Sequence, residues 1–404
     1  MTTFGRPLLE LWALDPAIVY LNHGTVGATP RRVLAAQQAL RDEIERQPAR
    51  FLLRELTAVR VGGERAEPPR LRAAATEVAP CFGAQGGDLV FVDNATTGAN
   101  AVLRSFPFQP GDEIVVLDLA YGGVVAAARH AARARGASVR VLETPEPVRG
   151  PADLVAVFEA GLGARTRLAL VDHITAESAL VVPVVEIAAL CRRRGVRVLV
   201  DGAHAPGAIE LEMPALGADW YVGNLHKWAW APRSSGILWA APEAREGLHP
   251  AVVSWGLDQG FTAEFDLPGT RDPTAHLAAP AALAMMRELG FEAVRGWNHA
   301  LAWRAACALA ERWRTRFVTP ESMIGTMATV PLPAALGADR EAAARLRDAL
   351  LFEDGIEVQV HAWRGRLHAR ISAQIYNEDA DFERLGHAVE SRAGLARSRS
   401  ASCP

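Results

Sequence analysis

The 404-residue sequence predicts an α/β fold, with a mostly parallel sheet of seven strands sandwiched by helices and a smaller α+β domain after it. Three observations predict it. Short apolar runs alternate with Ala- and Arg-rich helical stretches over about 150 residues. The runs end in polar or glycine residues, at the edge where parallel sheets bind ligands. Past Asp272 the pattern changes to long helices and a few short strands.

The first run is 89–92, and the turn from Asp93 to Gly98 leads it into a helix starting near Ala99. The run 113–117 follows, then a helix over 122–135. Runs 139–142, 168–171, 196–200 and 220–222 continue the series, with helices near 152–162 and 184–194 between them. The run 237–239 is expected to return antiparallel. Unbroken apolar runs of this length fit strands buried on both faces. Helices over 275–289, 291–316 and 340–351 come next, with strands at 356–360 and 367–371. The domains therefore read as 15–273 and 274–393. Residues 1–14 are expected to pack with the second domain, and 394–404 to form a frayed polar tail.

Half of the residues are hydrophobic and 22% are charged, which marks a globular chain. A net charge of −3 gives no general attraction to nucleic acid or an anionic membrane. Cys81, Cys191, Cys307 and Cys403 are scattered without C-x-x-C spacing, which argues against a structural metal site and a disulfide framework. No apolar run approaches the ~18 residues of a membrane span, and the N-terminus lacks a secretory apolar core. A cytoplasmic protein is expected, with no metal, nucleic-acid or membrane partner.

The chemistry is concentrated between Arg197 and Ser235. Asp201 ends one strand and Lys227 lies just past the next, in Asn224-Leu225-His226-Lys227-Trp228. That pairing suits pyridoxal phosphate (PLP): a lysine holds the aldehyde, and an aspartate keeps the ring nitrogen protonated. An Asp here also serves as an ordinary helix cap. His204 follows Asp201 by three residues. Trp220, Tyr221, Trp228 and Trp230 surround Lys227 in sequence and would lower its pKa. Asn224 and His226 are candidate phosphate donors, and Asn94-Ala95-Thr96-Thr97-Gly98 reads as a phosphate cup or a plain cap. Tyr121 is a candidate to stack on the ring or a half-buried core residue. His173 is a candidate for the ring's phenolic oxygen, and Asp172 is a cap. Arg370 suits an α-carboxylate or a surface ion pair. The cluster Asn22-His23-Gly24-Thr25 exceeds what a plain turn needs, and His361, Trp363 and Trp255 would shape a side-chain pocket.

Together these residues resemble the aminotransferase class V family of fold-type I PLP enzymes, most closely its isopenicillin N epimerase-like subgroup. The similarity runs from about Leu21 to Asn377, through LNHGTVG, NATTGAN, DHITAES, VDGAH, GNLHKW, GTRDPT and RISAQIYN. The resemblance implies Lys227 as the Schiff-base lysine, Asp201 as partner of the ring nitrogen and His204 beside the phenolic oxygen. Thr96, Thr97, Asn224 and His226 would hold the phosphate. Thr270 would reach the phosphate of a neighbouring subunit, implying a homodimer with shared sites. Arg370 would bind the carboxylate of an amino-acid substrate, with Asn22 and His23 on the substrate side. Two departures matter. The segment 358–370, VQVHAWRGRLHAR, lacks the cysteine that desulfurases carry there, and Ala176 stands where relatives frequently have Ser.

In every reaction of this family the α-proton goes to Lys227. Reprotonation from the opposite face gives epimerisation, with Tyr121 or His23 as host of the second acid. Expulsion of a β-sulfur group gives a lyase, and reprotonation on the cofactor gives transamination. Epimerase-like chemistry is placed first. A C–S β-lyase on a cysteine S-conjugate or sulfoxide is second, an aminotransferase third and a non-catalytic PLP-binding protein last.

Overall fold

A computed structural model describes residues 3–59 and 68–395. The chain forms two compact units. Of the described residues, the larger takes those within 27–176 and 181–288, and the smaller 3–26, 177–180 and 289–395. Cys403 and the expected tail beyond 395 lie outside the described residues, as do Met1 and Thr2.

The larger unit is built on a seven-stranded sheet. Its strands are β1 (Leu89–Val92), β2 (Glu113–Leu117), β3 (Ser138–Leu142), β4 (Thr166–Asp172), β5 (Arg197–Gly202), β6 (Trp220–Asn224) and β7 (Gly236–Ala240). Their order is β1-β7-β6-β5-β4-β2-β3, and β7 pairs antiparallel with both neighbours while the other pairings are parallel. Strands β1, β2, β6 and β7 are buried throughout, β1 even at the sheet edge, as expected where helices cover both faces. The edge strand β3 carries Ser138 and Arg140 and is largely open to solvent, which blunts further pairing.

Helix α1 spans Ala95–Ser105, α2 spans Gly122–Ala134 and α3 spans Val184–Arg193. Helix α1 begins four residues before the expected Ala99. Asn94 acts as its N-cap, its Oδ1 accepting the Thr97 N–H at 2.9 Å, so the presumed turn is already helix. The expected helix over 275–289 is split into Thr274–Leu277 and Ala279–Leu289. Pro280 has no N–H with which to continue the first piece.

The smaller unit contains β8 (Met327–Pro331), β9 (Gln359–Trp363) and β10 (Arg366–Ser372), in the antiparallel order β9-β10-β8. Sequence reading missed β8. Helices α4 (Phe291–Arg312), α5 (Arg340–Phe352) and α6 (Asp379–Arg392) accompany this sheet. Alternation along the strands sorts its faces. Val330, Val360, Leu367, Ala369 and Ile371 enter the apolar core, while Thr329, Gln359, His361, His368 and Arg370 occupy the other face. Val19–Tyr20 pairs in parallel with Ile356–Glu357, and the Gly5 N–H donates to the Ile375 carbonyl at 2.8 Å. Residues 3–26 thus belong to this unit, where the sequence boundary assigned to it nothing beyond residue 14.

Leu199, fully buried in the middle of β5, measures the larger core. Leu199→Ala is expected to lower its stability by about 2–5 kcal/mol, read as a reduced urea midpoint.

Candidate active site

Parallel register brings the acidic residues of the larger unit together. Asp172 at the end of β4 lies opposite Asp201 on β5, and Gly202 lies opposite Gly223 on β6. Both carboxyls are buried. Asp201 Oδ1 accepts the Ala203 N–H at 3.0 Å, whereas Oδ2 is buried without a hydrogen-bond partner among the described residues. Asp172 Oδ1 accepts the Tyr121 N–H at 3.1 Å. Burial, and then the charge of Asp201, push Asp172 well above the usual carboxylate range. Burial also raises Asp201, but the Ala203 N–H and the charge of Lys227 oppose the shift. Of the two, Asp172 is therefore the carboxyl more strongly biased towards its protonated form.

Lys227 follows β6, and its Nζ lies 3.1 Å from His204 Nε2. The backbone beside it is tightly enclosed. Gly27, at φ +70°, sits so close to the His226 carbonyl that a Cβ would come within 1.8 Å of the oxygen. Both the left-handed backbone and the contact require glycine, which accounts for the last residue of LNHGTVG.

The start of α1 meets the end of β6. Asn224 Oδ1 accepts the Ala95 N–H at 2.8 Å, which leaves the amide NH₂ as its donor end. Thr96 and Thr97 lie half-buried in the first turn. His226 Nδ1 donates to the Ser235 carbonyl at 3.0 Å, and burial lowers its pKa to about 4. Neutral His226 thus spends its one N–H on the backbone. It donates to a phosphate only when the dianion itself favours the imidazolium. Thr270 is exposed, and the adjacent Arg271 pairs with Asp93 at 2.8 Å.

Tyr121 precedes α2 with 47% of its surface exposed. His173 is buried, and its Nδ1 lies 2.9 Å from the Tyr221 hydroxyl. Sequence reading named Tyr221 only as an aromatic near Lys227; its contact with His173 was missed because, within the run 220–222, it is indistinguishable from a core aromatic. Trp255, expected to shape a pocket, is 76% exposed.

The smaller unit groups the substrate-side candidates. Arg370 is buried and donates to Thr25 Oγ1 at 2.5 Å and to Asn22 Oδ1 at 3.5 Å. Asn22 in turn donates to Glu357 Oε1 at 2.7 Å. Burial lowers the Arg370 pKa to about 10, which leaves the guanidinium charged at neutral pH. His23 is fully buried, with Nδ1 2.9 Å from the Tyr376 hydroxyl. His361 stacks on His368 at 5.7 Å, and Trp363 lies 5.5 Å from His368. Sequence reading did not single out Thr25, Glu357, His368 or Tyr376 as individual contacts, although Thr25 and Tyr376 fall inside its motifs.

Comparison with known proteins decides the family. The aminotransferase class-V pattern matches residues 29–385. The chain belongs to the aminotransferase class-V family. It is similar to the probable chloroplastic L-cysteine desulfhydrase of Arabidopsis thaliana, with 33% identity covering 95% of this chain and 84% of that protein. It is also similar to the isopenicillin N epimerase of Streptomyces clavuligerus, at 32% identity over 94% of this chain and 96% of the relative. Among solved structures, the cysteine desulfurase CsdA of Escherichia coli shares the fold with a TM-score of 0.76 and 22% identity, covering 98% of this chain and 99% of that one. A cystine C–S lyase solved with cysteine persulfide aligns with a TM-score of 0.75 and 22% identity, over 92% and 97% of the two chains.

This aminotransferase class-V enzyme is PLP-dependent. Its own residues fit the cofactor. A buried carboxylate oxygen without a partner suits a ring N–H, and a helix start beside a committed Asn suits a dianion. Among the described residues, no helix is long and apolar enough to cross a membrane and no cluster of three or more His, Cys, Asp or Glu could hold a metal.

The buried imidazoles generate a pH prediction. Burial lowers His173 and His226 to about 4 and His276 and His361 to about 3, against 6.5 for the free side chain. Between those values the unfolded chain binds protons that the folded chain does not, so stability falls as pH drops. Urea midpoints are expected to decline from pH 7 through pH 6.5 towards 4. A midpoint that rises on acidification would contradict the neutral, buried assignment.

Proposed function

We propose that the protein catalyses β-elimination from cysteine or an S-substituted cysteine, releasing a thiol, with pyruvate and ammonia as final products after water is consumed. PLP, when bound, supplies an electron sink that acidifies the Cα–H of the amino acid it carries. Lys227 is the lysine that retains the cofactor and then takes the α-proton, with His204 as its hydrogen-bond partner. Asp201 holds the ring N–H through its uncommitted oxygen. The Asn224 amide, Thr96, Thr97 and His226 hold the phosphate, and Tyr121 covers the ring. Arg370, oriented by Thr25 and Asn22, binds the α-carboxylate bidentately. His361 and Trp363 contact the side chain.

The observation that carries elimination over epimerisation is the commitment of His23. Epimerisation requires a second acid facing the base, and His23 is fully buried and bonded to Tyr376. Elimination needs one base, because a thiolate leaves without strong general-acid help (free thiol pKa about 8.5). The desulfhydrase likeness agrees with this order, which reverses the one expected from sequence. The cysteines support release of a thiol over transfer of a persulfide. Burial raises the thiol pKa of Cys81 and Cys307 and pushes Cys191 up to about 12, so none of these three described cysteines is an activated nucleophile. Epimerisation is the second reading, favoured by the exposed Tyr121 as a possible opposite-face acid. We also infer a cytoplasmic homodimer, in which the exposed Thr270 reaches the phosphate held by the other subunit.

Incubation of the PLP-loaded enzyme with L-cysteine and S-substituted cysteines in D₂O tests the choice by NMR. Equimolar pyruvate and thiol are expected, and Lys227→Ala should slow their release by about 10²–10⁴-fold. Cα deuteration with loss of optical purity and no pyruvate would replace the lyase with an epimerase. Tyr121→Phe separates the two from another side. A lyase should keep its rate within about threefold, whereas an epimerase using that hydroxyl should lose about 10²–10⁴-fold.

A further inference from the structure

Tyr221 was expected only as one of the aromatics around Lys227, yet its hydroxyl reaches across a strand to a candidate cofactor residue. It lies on β6 opposite Val200 of β5, and its ring tip rests on Gly202 two residues further along β5. A Cβ at Gly202 would come within 2.1 Å of both the phenol oxygen and the ring carbon that bears it. The missing side chain opens a passage over β5, and Tyr221 uses it to meet His173 just past the end of β4. The two rings stand edge to face, 5.8 Å apart at 81°.

That contact decides where the imidazole carries its proton. The Tyr221 hydroxyl has one hydrogen bond among the described residues, to His173 Nδ1 at 2.9 Å. The phenol is fully enclosed and stays protonated, since burial and the neighbouring Asp201 charge raise its pKa well above 10. If Nδ1 carried the proton, the buried phenolic O–H would be left without an acceptor, the costlier arrangement. The hydroxyl must therefore donate to Nδ1, which leaves the proton on Nε2. Burial keeps His173 neutral down to about pH 4, so the tautomer, not the charge, governs what the ring offers.

We propose that Tyr221 is a positioning residue that reaches over Gly202 to lock His173 as its Nε2–H tautomer, making it an obligate donor towards the oxygen of the cofactor ring. The tautomer is a property of the protein itself, while its use by the ring oxygen rests on the cofactor assignment above. A donor at Nε2 favours an anionic oxygen, whereas the other tautomer would turn a lone pair towards it.

The test is long-range ¹H–¹⁵N NMR on the full-length, PLP-loaded protein with ¹⁵N-histidine, the His173 ring being assigned by its disappearance in His173→Gln. Wild type should show a protonated Nε2 and an unprotonated, hydrogen-bonded Nδ1. Tyr221→Phe keeps the ring that fills the passage and removes only the hydroxyl. It should move the Nδ1 resonance to the position of an unbonded nitrogen and weaken PLP binding about two- to tenfold. A protonated Nδ1 in wild type, or His173 resonances unmoved in Tyr221→Phe, would overturn the proposal whichever reaction the enzyme catalyses. A moved resonance with unchanged PLP affinity would retain the tautomer lock and reject the ring oxygen as its target.

Discussion

The arrangement of the larger unit depends on keeping one carboxylate charged where water does not reach it. Asp201 stands at the buried end of a central parallel strand, and an ion there is expensive unless its surroundings repay the lost hydration. Three neighbours do so. The Ala203 N–H donates to one oxygen, Lys227 supplies opposite charge, and Asp172 takes the proton that two adjacent carboxyls cannot both give up. Each compensation comes from a separate segment, and the register of β4, β5 and β6 makes them meet. One oxygen of Asp201 is left for a cationic partner. This is the physical content of the fit to a pyridine ring.

The smaller unit applies similar logic to a cation. Arg370 projects from the polar face of a sheet whose opposite face is the apolar core, so its charge is fixed by strand alternation. Thr25, Asn22 and Glu357 form a chain of polar groups behind it, which costs little mobility to maintain because the first turn after Leu21 and the Val19–Tyr20 pairing already order that segment. A guanidinium held this way meets a carboxylate without first having to search for its rotamer.

Much of this was legible in the sequence because its signals were local. All seven strands of the large sheet lie within two residues of their apolar runs, and the spacing of His204 and Lys227 anticipated a meeting that the structure contains, Nζ to Nε2 at 3.1 Å. The failures have physical causes. The strand β8 reads MATVP, too short and mixed to separate from a loop, and only pairing with β10 makes it a strand. Helix α1 began early because a capping side chain outweighed the turn character of Asn94 to Gly98. The contacts of Tyr221 and Glu357 were invisible for another reason. Their partners, His173 and Asn22, lie 48 and 335 residues away in the chain, and no local pattern encodes such a meeting.

The passage over Gly202 also has an evolutionary meaning. A side chain at 202 would claim the space held by the ring tip of Tyr221, so one of the two would have to shift. The positions are therefore bound by sign epistasis: Gly202→Ala is harmful beside tyrosine but harmless beside a small residue at 221. Lineages of this enzyme should cross between the two states only by losing the tyrosine first. Where that has happened, the histidine after β4 has been released from its partner and is free to acquire another role.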